Sequence, residues 1–171
     1  MTEFEPPRHE VMDHWAYPGV VVMRELGMAS GGYLNDYRLE DDVANRWALQ
    51  FRINRMMSVI NECSLNNGEF QVPAWEVSFD TDAITVSQLF FTAAQCASLG
   101  DRMWLVANNA ASGDAPVPMT FASADEARNY LIWRGVLDTK ISHHFNDMDA
   151  IATNGQLLYT LGSLYKTLME S

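Results

Sequence analysis

The chain has 171 residues, 48% of them hydrophobic and 19% charged, with 22 acids against 11 bases for a net charge of −11. That size fits one domain of ordinary dimensions, and the balance of apolar and charged residues is that of a globular protein, not a disordered one. A pI near 4.6 disfavours general binding to phosphate backbones, and no apolar run reaches the roughly 18–20 residues needed to span a bilayer.

Residues 1–40 read as an N-terminal arm or docking segment, and 41–171 as the domain proper. The start, Met1-Thr2-Glu3-Phe4-Glu5-Pro6-Pro7, is acidic and proline-bearing, the opposite of a basic-then-apolar signal peptide, so the expected site of synthesis is a cytoplasm. Pro18-Gly19, Gly27 and Gly31-Gly32 interrupt any long periodic segment. Between them, Gly19-Val20-Val21-Val22-Met23 is β-branched and reads as a short strand or buried extended piece. Through Asp42 the segment holds nine acids and three bases, so −6 of the −11 lies in about a quarter of the chain. Trp15, Tyr17, Tyr33 and Tyr37 are candidate partner contacts, because aromatics outside a periodic pattern can anchor an interface; stapling the arm onto its own domain is an equally good reading.

Asp41 and Asp42 suit a helix start. Leu49, Ile53, Met56, Ile60 and Cys63 then follow helical spacing, which predicts a first helix over about 42–63, stopped by Asn67-Gly68. Alternation in 70–79, around Pro73, predicts a hairpin. Thr81 or Asp82 would cap a second helix with Val86, Leu89, Phe90, Ala93 and Ala97 inward, ended by Gly100. Residues 103–108 and 117–121 read as a second pair of strands. Ser123-Ala124-Asp125-Glu126 is a capping box opening a third helix that runs to about 151, bent near Gly135. A last helix carries Leu157, Leu161, Leu164 and Leu168 on one stripe.

An internal echo supports this order. Phe79 corresponds to Phe121 at an offset of 42 residues, and Thr81 to Ser123 and Leu89 to Leu131 at the same offset. The expected fold is therefore α+β, with two hairpin–helix units (about 69–98 and 103–151) forming a small antiparallel sheet packed with helices.

No catalytic, cofactor or metal constellation emerges. His9 and His14 are five apart, whereas a zinc helix needs four, and His143-His144 would diverge on a helix. Asp80 and Asp82 flank Thr81 at a strand-to-helix step, where capping is the favoured role. Gly31-Gly32 fits no phosphate-loop or dinucleotide pattern. Cys63 and Cys96 lack a CxxC neighbour and read as buried thiols. Arg46, Arg52 and Arg55 share one predicted helix, best read as a solvated face or a contact with an acidic partner.

Over about residues 52–152 the chain resembles a domain of uncharacterised function found in tail-associated proteins of tailed bacteriophages. The resemblance runs through Arg52 and Arg55, the strand from Trp75 to Phe79, and the step Asp80-Thr81-Asp82-Ala83. It continues through Trp104 with Asn108-Asn109, Val117-Pro118-Met119-Thr120, and the helix from Ser123. The chain departs from that pattern by inserting residues 110–116 after its Trp and Asn. The resemblance transfers no catalytic residue. It implies a non-enzymatic virion or tail-associated structural or adaptor protein, without cofactor or metal, made in the host cytoplasm. Its partners would be other virion or tail proteins, or further copies of itself as a homo-oligomer, with neither nucleic acid nor membrane among them. Two alternatives are a transient assembly chaperone absent from the virion, for which ten methionines offer adaptable packing, and an acidic inhibitor of a basic target.

Overall fold

The computed structural model describes residues 14–27, 39, 43–63, 82–109 and 119–170, the side chains of 60–63 and 100–109 excepted, and the elements among these residues are five helices and one 3₁₀ turn, with Leu39 helical besides. In chain order these are α1 (Tyr17–Glu25), α2 (Arg46–Cys63), α3 (Val86–Asn109), α4 (Ala124–Arg134), the 3₁₀ turn (Ser142–Phe145) and α5 (Asn154–Met169). The described part is 68% helix and contains no strand or sheet, which overturns the expected α+β class with its antiparallel sheet. Backbone pairing between segments is limited there to three isolated bridges, Val43 with Thr153, Asn45 with Ala83, and Thr85 with Ile151.

Each misread segment has a physical reason. Residues 103–108, expected as a strand, continue α3 straight through Gly100. Extending a formed helix costs little per residue, and one interior glycine costs only about 1 kcal/mol, whereas a strand must find a partner. The partner expected at 117–121 is no strand where it is described: the N–H of Met119 donates 2.9 Å to the Ser98 hydroxyl on α3, so a side chain anchors it. The valine run 19–23 is helical because its neighbours reward a helix over a strand. Pro18 sits in the first turn, where its missing N–H costs nothing, and Val20 and Met23 are buried one turn apart. The hairpin at 70–79 lies outside the described residues.

Helix α4 does not bend at Gly135; it ends there. Gly135 adopts φ +88°, a left-handed conformation suited to glycine, and the Val136 and Leu137 N–H groups turn back to the Leu131 carbonyl at 2.9 and 3.2 Å. At its other end, Ser123 caps as expected, accepting 3.1 Å from the Glu126 N–H, while the Glu126 carboxylate accepts from the Ala122 N–H. The leucine stripe of α5 is buried at Leu157, Leu161 and Leu164, with Leu168 partly buried.

α5 is the hub, packing against α1, α2 and α3. Its contact with α1 is made backbone to backbone. A Cβ on Gly162 would lie 2.5 Å from the Gly19 carbonyl oxygen and 2.6 Å from its Cα, and one on Gly19 would strike the backbone of Leu158 and Tyr159. The described part of the predicted arm is thus seated on the chain's own last helix. Ala16, Val20 and Met23 are fully buried there, so removing residues 1–40 would strip part of the core along with the arm.

The starts of α2, α3 and α5 meet in a closed ring of hydrogen bonds. The Ala44 N–H donates to the Ala152 carbonyl at 2.8 Å, Ala152 to Ile84 at 2.8 Å, and Ile84 back to Ala44 at 3.1 Å. Each helix then leaves the ring under its own cap. Asn45 accepts from the Ala48 N–H at 2.7 Å, and Thr85 with Gln88 and Thr153 with Gln156 form reciprocal capping boxes. Matching positions along the three helices are buried in turn: Leu49, Leu89 and Leu157, then Ile53, Ala93 and Leu161, then Met56, Cys96 and Leu164. The threefold likeness of these segments is the repeat that organises the described core.

Candidate interaction surface

The ring fixes one end of α2 and thereby fixes which face of that helix meets solvent. Leu49, Ile53 and Met56 point inward, so the opposite stripe is Val43, Trp47, Phe51 and Arg55, spaced four apart. All four are exposed, Phe51 to 45%. The Trp47 and Phe51 rings stack on each other, with centroids 5.1 Å apart and planes 16° from parallel. The stacked pair is held on a rigid helix, so little side-chain entropy remains to be lost on contact. Arg55 ends the stripe with a positive charge. Arg52, one face round, turns inward: its guanidinium donates 3.2 Å to the Ala48 carbonyl, and burial lowers its pKa from the ordinary value.

A second exposed aromatic stands on α4. Trp133 is 76% exposed, 5.7 Å from the Tyr130 ring, which in turn lies 5.3 Å from Phe121. One aromatic ladder therefore runs from the buried side of α4 out to solvent.

The arm aromatics behave differently from these. Trp15 lies against the core, with its ring stacked on His144 at 4.3 Å and 8°, edge-on to Phe145 at 5.5 Å and tilted against Tyr159 at 5.6 Å. Tyr17 is half-buried and lines an open groove of about 840 Å³ between α1 and α5, together with Val21, Glu25, Asp138 and Lys166. Tyr33 and Tyr37 lie outside the described residues. Of the four expected contacts, the structure brings Trp15, partly buried, into an aromatic cluster against the core and Tyr17 to a groove edge. Trp47 and Phe51 were missed, although their signal was present: they are the outward complement of the stripe that predicted the helix.

Among the described residues, no three His, Cys, Asp or Glu side chains are placed to hold a metal ion. His143 and His144 lie in the 3₁₀ turn, where their rings come within 4.0 Å of each other instead of diverging. His14 Nδ1 accepts 3.0 Å from the Ala16 N–H, a local turn contact. Burial pushes the Cys96 thiol up to about 12, so it stays neutral and packs at 3.2 Å from the Met57 sulfur as a hydrophobe. Burial, and then the nearby Asp138 carboxylate, raise the Tyr159 phenol, against a backbone hydrogen bond at Asp138 that lowers it. No described helix is long and apolar enough to cross a membrane.

Comparison with known proteins adds no relative. The chain matches no protein-family model, no curated protein and no solved structure.

Proposed function

We propose that this chain is a non-enzymatic, tail-associated structural or adaptor protein of a bacteriophage, acting through protein–protein contacts. The observation that carries the contact-making role is the stripe Val43–Trp47–Phe51–Arg55. It sets two stacked aromatics, open to solvent, on a helix whose start is tied into the core. Aromatic and arginine side chains on a rigid element are the residue types that dominate binding energy at protein interfaces. What supports the tail assignment is the resemblance carried by Arg52, Arg55, Trp104, Asn108-Asn109 and the helix from Ser123.

Peptide mass spectrometry on purified particles from the source that encodes the chain tests this reading. The expected result is the chain at a level stoichiometric with other tail components. Its absence from particles, despite abundance in infected-cell lysate, would overturn the virion assignment and favour an assembly chaperone.

A further inference from the structure

We draw no further inference here: the strongest candidate, the groove between α1 and α5 lined by Tyr17, Glu25, Asp138, Tyr159 and Glu170, carries nothing, because the chain that follows α1 beyond Gly27 lies outside the described residues and nothing in the structure shows what covers the groove.

Discussion

The crossing of α1 over α5 and the junction of α2, α3 and α5 bring helices together by opposite means. At the crossing, contact exists because two side chains are missing: Gly19 and Gly162 let the two backbones touch. At the junction, contact is made by backbone hydrogen bonds between Ala44, Ile84 and Ala152, and specificity comes from the caps Asn45, Thr85 and Thr153. The first arrangement has no tolerance for added volume and makes no demand on polarity. The second depends on every N–H finding its acceptor and on the buried side chains beneath the ring filling their space.

The comparison can be broken most severely at the crossing. Gly162→Val should cost about 3 kcal/mol or more, since the atoms it meets are backbone and cannot rotate away. Urea denaturation of the variant checks this, and a loss under about 1 kcal/mol would mean that α1 can lift off α5 without harm. Next is Ile84→Ala, inside the ring and 1% exposed, with an expected loss of about 2–4 kcal/mol. That loss should be a cavity effect, with the helical circular dichroism spectrum retained below the transition.

A smaller change sharpens the contrast. Thr153→Ala leaves the ring intact and removes one cap, so about 1 kcal/mol should be lost by thermal or chemical denaturation. Thr153→Ser should retain most of it. The smallest effect is expected at Trp133, 76% exposed: Trp133→Ser should fall within about 0.5 kcal/mol of the parent. A larger loss there would show that the α4 ladder contributes to the fold.

The legibility of the sequence divides along the same line. The leucine stripe of α5 and the Ser123 cap were readable because both signals are local, set by neighbours within a turn or two. Residues 103–108 and 19–23 were not, because a short apolar run suits either period, and what decided it was packing from elsewhere in the chain. The matching starts at Val43-Ala44-Asn45, Ala83-Ile84-Thr85 and Ile151-Ala152-Thr153 were overlooked because only Asn or Thr is common to them. The likeness lies in the backbone. For the candidate surface, attention to aromatics outside periodic patterns selected Trp15, which is partly buried and stacked on His144. Trp47 and Phe51 sat inside a periodic pattern on its polar side, where any large aromatic is out of place.

A ring has no free end, and that bears on how the protein assembles. The Ala44, Ile84 and Ala152 bonds join three segments far apart in the sequence, and each bond donates to the next. A helix formed alone gains nothing from the ring, and two helices together can make only one of its three bonds. Closure therefore belongs late on the folding path, after the chain between these distant segments has been drawn in. Once the ring has closed, its three amides should surrender to solvent together, as one unit, and not by fraying from a helix tip inward.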